Sequence, residues 1–288
     1  MSSPRNWFSK RTRRVRQYVQ AARVSLTPIV PGHQHGLPGE LIVSLTSYPK
    51  RFRMLHLTLR SLLSQDMMPD QLLLWVATSD AQLLPERVLT LERYGLQILT
   101  CDDVGPFKKL VPTLTAHPSA FILTADDDVF YPRDWLRRFV ETYRHPKEIL
   151  CQRARRIVIS NDALLPYKQL RVVRDYNYAG PILPEGVGGI LYPPGSLPPE
   201  TMNSEVFMQL CPIADDLWFY WMASRTGCTH RAIPPVGEFL AWPGSQRFAL
   251  WRRNQGEGQN NEQFAALMAA FGPPARLSGH NSISLPPS

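Results

Sequence analysis

Three adjacent carboxylates, Asp126, Asp127 and Asp128, follow directly on an apolar run in the stretch SAFILTADDDVFYP. Aromatic and apolar residues resume at once with Val129, Phe130 and Tyr131. Neighbouring acids repel one another and Asp is a poor strand former, so the arrangement calls for a compensating charge. If extended geometry persists, Asp126 and Asp128 share one side and Asp127 points to the other. Oxygen ligands suit Mg2+ or Mn2+, and such cations commonly combine one or two carboxylates with water and substrate phosphates. The chemistry suggested is a metal–diphosphate site with Mn2+ or Mg2+ as cofactor. The plainer alternative, a surface turn with Asp as a cap, fits the flanking apolar run poorly. A calcium loop fails because D-x-D-x-D-G and its distal Glu are missing, and a D-x-D-x-T phosphatase fails at Phe130.

A second pair of acids, Asp215 and Asp216, stands in IADDLWFYWMA. Acids in a first helical turn are favoured by the helix dipole, which is the bland account. Beside a metal–diphosphate site, one of them could instead serve as a general base for an attacking hydroxyl. Lys108 and Lys109 could meet phosphate or a base carbonyl, or sit on a solvated helix face; Arg51 and Arg53 carry the same two readings. His230 is a candidate metal ligand, although a lone histidine is more often satisfied locally. Gly188 and Gly189, in GVGGILYPP, would permit close backbone approach to a sugar or diphosphate. The sequence contains no G-x-G-x-x-G, no G-x-x-x-x-G-K-[ST] and no G-x-S-x-G, which removes the usual dinucleotide, P-loop and hydrolase-elbow readings.

The elements that must position these groups follow from periodicity. Leu41–Thr46, Gln71–Ala77, Leu96–Thr100 and Ala120–Ala125 are short apolar runs of buried-strand type. Helical spacing appears between them over Met54–Ser64, Pro85–Tyr94 and Phe107–His117. The alternation predicts an α/β fold with a mainly parallel, right-handedly wound sheet flanked by helices. Ligands of such sheets sit at the carboxyl ends of the strands. There the sequence places Thr46, Ser47 and Tyr48, then Cys101, Asp102 and Asp103, then the three acids. Further strand at Ile190–Pro194 and helices from Ile213 and Glu262 are expected in a half rich in Pro and Gly.

The chain of 288 residues carries a net charge of +8, unevenly spread. Arg5, Lys10, Arg11, Arg13, Arg14, Arg16 and Arg23 precede the first acid, Glu40, and are interleaved with Trp7, Phe8, Val15, Tyr18 and Val19. This segment reads either as a basic helix for an anionic membrane surface or as a solvated tail. No zinc-finger, RNP or KH pattern accompanies the charge, so no nucleic-acid partner is expected. The expected organisation is a basic segment and linker (1–39), a main domain (40–245) and a C-terminal extension (246–288). Four widely spaced cysteines without a C-x-x-C suggest free thiols in a reducing compartment. With no membrane-span stretch or leader pattern, the expected location is cytoplasmic, with peripheral contact with the inner membrane face as an option.

Taken in order, LIVSLTSYPKRF, TADDDVFYP, GVGGILYPP and IADDLW resemble the glycosyltransferases of the GT-A fold, over about Leu41 to Trp242. The similarity is loosely to family 2 enzymes of bacterial surface-polysaccharide assembly. The resemblance implies an inverting transfer of sugar from a nucleotide-diphosphate sugar donor to a glycan or lipid-linked acceptor. It implies that Thr46 and Tyr48 line the nucleoside pocket, beside the candidate Arg51, and that Asp102 or Asp103 reads base or ribose. Asp126 would face the ribose and Asp128 the metal; Lys109 and Asp127 are further candidates for the nucleotide-sugar site, and His230 for the metal. Gly188 and Gly189 would shape the sugar pocket. Asp216 would be the base, with Asp215 standing where that family more often has Glu. The Gln-x-x-Arg-Trp element of processive polymerases is absent. The rival expectations are a nucleotidyltransferase acting on sugar phosphates and a non-catalytic carbohydrate- or membrane-binding module.

Overall fold

The computed structural model describes residues 4–160, 163–165, 167–235, 237, 239–245 and 259–274. Helix α1, Pro4–Leu26, packs on helix α2, Phe52–Leu63. Among the described residues the remaining helices are α3 (Glu86–Leu89), α4 (Val111–Ala116), α5 (Trp135–Thr142), α6 (Ser204–Leu210), α7 (Asp215–Arg225) and α8 (Gln259–Phe271). The strands that matter for the site are β1 (Leu41–Thr46), β2 (Gln71–Ala77), β3 (Leu96–Cys101), β4 (Phe121–Ala125) and β5 (Glu148–Cys151). They are followed by β6 (Ala154–Arg156), β7 (Ile182–Pro184), β8 (Ile190–Tyr192) and β9 (Thr229–Ala232).

Seven of these strands form one sheet in the order β9-β5-β8-β4-β1-β2-β3. All neighbours run parallel except β8, which is antiparallel to both β4 and β5. The fold is thus the mixed α/β architecture expected, a mainly parallel sheet flanked by helices. Strands β6 and β7 pair separately as an antiparallel ribbon.

The sheet separates two cores, and the two-residue period of the strands decides which side chain joins which. Leu41, Val43 and Leu45 of β1 and Phe121 and Leu123 of β4 face α2 and α5, where Leu55, Leu59 and Phe139 are fully buried. Ile42, Leu73 and Ile122 face the other way, onto Phe107, Phe207 and the aromatic stretch of α7. That explains why α7 is apolar all round: Leu217 through Ala223 are all buried. A polar knot also lies inside this second layer, where the Thr113 hydroxyl receives the Trp75 indole N–H at 2.8 Å and meets Ser44 Oγ at 2.8 Å.

Two expected helices are broken, for local reasons. The expectation over 107–117 divides into a 3-10 turn, Gly105–Lys109, and α4. Pro112 lacks an N–H and is tolerated only in a first turn, so a new helix has to begin just before it. The 85–94 expectation divides into α3 and a 3-10 turn, Glu92–Tyr94, closed by Gly95 at φ +96°. Strand β8 stops at Tyr192, before Pro193 and Pro194, which cannot donate to a ladder. Among the described residues no helix is long and apolar enough to cross a membrane. Of the extension expected over 246–288, residues 246–258 and 275–288 lie outside the described residues, and α8 packs on α7.

Candidate active site

A cavity of about 840 Å³ opens at the carboxyl ends of β1 and β4 and is closed from the far side by the start of α7. Its lining brings together Thr46 at the end of β1, Tyr48 and Arg51 just beyond it, Asp103 and Lys109 after β3, Asp126 to Asp128 after β4, and Asp215 and Asp216. Groups scattered over some 170 positions thus meet at one rim.

The acidic turn is held from three directions. Tyr131 folds back so that its hydroxyl receives the Asp126 backbone N–H at 2.7 Å. Thr58 of α2 donates to the backbone carbonyls of Asp127 and Val129 at 2.9 and 3.1 Å, while the Trp242 indole donates to Thr58 at 2.7 Å. The Trp242 backbone N–H donates to the Asp128 carbonyl at 3.0 Å. Each carboxylate then has a different environment. Asp127 is buried and structural, accepting from Ser47 Oγ at 2.5 Å and from the Arg51 guanidinium. Asp128 lies 3.4 Å from Arg51 Nη2. Asp126, 29% exposed, faces the cavity and lies 3.9 Å from Lys109 Nζ.

Lys109 is the centre of the charge arrangement. Its buried ammonium lies 2.8 Å from Asp215, 3.6 Å from Asp216 and 3.9 Å from Asp126. Burial alone would pull its pKa down, but the three carboxylates outweigh burial and hold it well above its usual value. Arg51 is held charged in the same way by Asp127 and Asp128 against its own burial. The acids respond oppositely. Burial pushes Asp216 up to about 7 despite Lys109, with Asp215 adding repulsion. Burial likewise pushes Asp128 up to about 7, against Arg51 and with Asp127 and Asp126 adding to the rise.

Asp216 is oriented by a single main-chain donor. Its Oδ2 accepts the Gly186 N–H at 2.8 Å, and its Oδ1 is buried without a hydrogen-bond partner. An added Cβ at Gly186 would press on the charged ends of the site: it would lie 2.8 Å from Lys109 Nζ, 3.1 Å from Asp216 Oδ1 and 3.5 Å from Asp126 Oδ1. The glycines singled out in the sequence have another position. Gly188 and Gly189, at φ +93° and +100°, do not line the cavity; they pack beneath it against Phe239 and Trp135. Trp135 also donates its indole N–H to the Gly188 carbonyl at 2.6 Å.

The other expected residues divide. Asp103 lines the cavity and is held low by its hydrogen bond from Lys108, while neighbouring Asp102 is exposed and off the lining. His230 also lies off the lining, on β9, with its ring against Tyr220 at 5.0 Å between centroids. Among the described residues no three His, Cys, Asp or Glu side chains converge closely enough to cage a metal ion. The donor set fits a cation held by one or two carboxylates and by substrate phosphates, and does not fit an all-protein cage. Asp126 and Asp128, both on the cavity lining, are the candidate acids.

A second cluster on the lining escaped the sequence reading. Glu185 is buried and accepts from Arg153 Nε at 2.5 Å, Arg155 Nε at 2.8 Å and the Tyr167 hydroxyl at 2.9 Å. Burial opposes its ionisation, yet the two arginines hold its pKa below the ordinary value. The available signal was the alternation of Arg153 and Arg155 around Ala154, which puts two cations on one side of a strand.

No protein-family model and no curated protein matches the chain. Among solved structures it is similar to a mannosyltransferase from Pyrobaculum calidifontis in complex with GDP-Man and Mn2+, at 13% identity and TM-score 0.49, over 90% of this chain and 72% of that one. It is also similar to an inositol-1-phosphate CTP transferase from T. maritima, at 12% identity and TM-score 0.44, over 81% and 98% of the two chains. A putative glucose-1-phosphate thymidylyltransferase from Bacillus anthracis matches at 12% identity and TM-score 0.36, over 78% and 98%. Likenesses this loose assign no residue a role.

Proposed function

We propose that the chain is a GT-A-type glycosyltransferase, moving a sugar with inversion from a nucleotide-diphosphate sugar to a hydroxyl of a glycan or lipid-linked acceptor in polysaccharide biosynthesis. The observation that carries this reading is Asp216. One of its oxygens is fixed by the Gly186 N–H and the other is buried, without a hydrogen-bond partner, at a cavity floor shared with Asp126 and Lys109. A general base needs a carboxylate held in place on the cavity lining, together with a pKa close to the working pH.

In this mechanism the Asp216 carboxylate takes the proton of the acceptor hydroxyl. The hydroxyl oxygen bonds to the anomeric carbon, the bond from that carbon to the diphosphate oxygen breaks, and the nucleoside diphosphate leaves with the electron pair. Tyr48, Thr46 and Asp103 bind the nucleoside, and Arg51 and Lys109 keep the facing acids neutralised until the donor arrives. Mg2+ or Mn2+, bound by Asp128 or Asp126 and the diphosphate, would stabilise charge on the leaving group. Asp215, paired to Lys109 at 2.8 Å, keeps the ammonium in place.

The test is a panel of UDP-, GDP-, dTDP- and CMP-sugars, with and without Mn2+. Nucleotide release that increases with a glycan acceptor supports the proposal. Pyrophosphate release from a nucleoside triphosphate and a sugar 1-phosphate would instead identify a nucleotidyltransferase. Sugar binding without any turnover would identify a binding module.

A further inference from the structure

Helix α1 has its polarity turned away from its own protein. Gln17, Gln20, Ala21 and Val24 are its half-buried residues and recur on one face, the face toward α2. Arg60 of α2 fastens the end of that helix by donating to the Val24 carbonyl at 3.0 Å and to the Thr27 carbonyl at 2.7 Å. The apolar residues lie on the outer side. Val15, Val19 and Leu26 are 56%, 62% and 83% exposed, and with Ala22 they recur at i, i+4, i+7 and i+11 as one stripe. Tyr18, 55% exposed, lies beside it, with Arg14 on the same flank and Arg16 and Arg23 on the other. No acid occurs in α1.

A helix that only had to pack on α2 would bury its valines and expose its glutamines. Charge decides what covers the stripe. A second copy of the chain would bring two arginine-rich faces together, and one helix face offers far less than the roughly 1,200–2,000 Å² that a stable protein interface buries. An anionic bilayer satisfies both features, with apolar side chains at the acyl boundary and arginines at the headgroups. We propose that α1 seats the protein on an anionic membrane surface. Arg13, which lines the cavity, lies on the side of the helix away from the stripe, so seating on the bilayer leaves that position undisturbed. This contact stands independently of the catalytic reading, because vesicle binding requires no turnover.

The experiment is flotation of the full chain with vesicles of phosphatidylcholine alone or with about one-third phosphatidylglycerol. Wild type should partition onto the anionic vesicles only, less so as salt rises. A Val15→Glu, Val19→Glu, Leu26→Glu variant should lose that partitioning by at least tenfold with unchanged thermal stability, since all three side chains are exposed. Arg14→Gln with Arg23→Gln should cost about fivefold for each arginine removed. Equal partitioning onto neutral vesicles, or none onto anionic ones, overturns the proposal. So does a dimer in vesicle-free solution that the glutamate variant dissociates, since a second copy would then cover the stripe.

Discussion

Asp216 and Asp128 both carry carboxyl groups pushed up to about 7, chiefly by burial, yet the two have different work in the proposed mechanism. Replacing Asp216 with Asn keeps an acceptor oxygen for the Gly186 N–H but removes the base. Turnover should fall about 10²–10⁴-fold while calorimetric binding of a nucleoside diphosphate with Mn2+ changes little. Asp128→Asn should do the reverse in its binding step, weakening Mn2+-dependent association. The same pKa shift sets the pH dependence. Turnover should climb as Asp216 ionises and level off above about pH 7. Stability should move the other way. Both groups hold a proton more tightly folded than unfolded, so the stability they confer is complete below the ordinary carboxylate range and is lost as pH rises through about 7. Metal-free thermal melts from pH 4 to 8 should show a midpoint that falls up to about pH 7 and then levels off; a midpoint that rose over that range would contradict the burial of these acids.

At the scale of elements, the site depends on the β7–β8 connection, which supplies Glu185 and Gly186 to the cavity and then has to dive under Trp135. Gly189 makes that dive. An added Cβ there would lie 2.8 Å from Trp135 Cζ2, 3.1 Å from the Thr124 carbonyl oxygen and 3.3 Å from Leu123 Cδ1, at a backbone φ of +100°. The carbonyl belongs to β4, inside the sheet, and has little room to shift. Gly189→Ala should therefore cost about 2–4 kcal/mol, combining overpacking with an unfavourable φ. Urea denaturation would measure it. Gly195, whose Cβ would meet nothing within 4 Å, is the control: Gly195→Ala keeps the φ penalty, +70°, without the collision, and should cost less.

For the whole molecule, the cavity is composite. Its acidic turn and Arg51 come from the first half of the chain, and its Asp216, Glu185 and arginine cluster from the second. A ligand that bridges both halves stabilises the native state alone, so a nucleoside diphosphate with Mn2+ should raise the unfolding midpoint. At a hundredfold excess over Kd the gain is about 2.7 kcal/mol. Chelation with EDTA should remove most of the shift for the diphosphate while leaving the ligand-free midpoint unchanged. A chelator-induced loss of stability without nucleotide would point instead to a structural metal elsewhere in the chain.

Much of this organisation was already present in the amino-acid sequence. Leu41–Thr46 and Gln71–Ala77 stand as strands over those same residues, because an unbroken apolar run between polar ends has no other way to bury itself in an α/β sheet. The gathering of Thr46, Asp103 and Asp126 follows from the same pattern, since parallel strands deliver their carboxyl ends to one edge. Only the tertiary structure decided which partners the acids take. Asp127 is committed to Ser47 and Arg51, residues about eighty positions away, and Asp126 turns to Lys109. No local spacing encodes such partners. Glu185 with Arg153 and Arg155 was illegible for the same reason, because a long loop separates the strands that pair them. Helix α1 shows the limit from the other side: its sequence announces charge and scattered apolar residues, but which face packs on α2 and which is left to solvent is set by the docking of one helix on another.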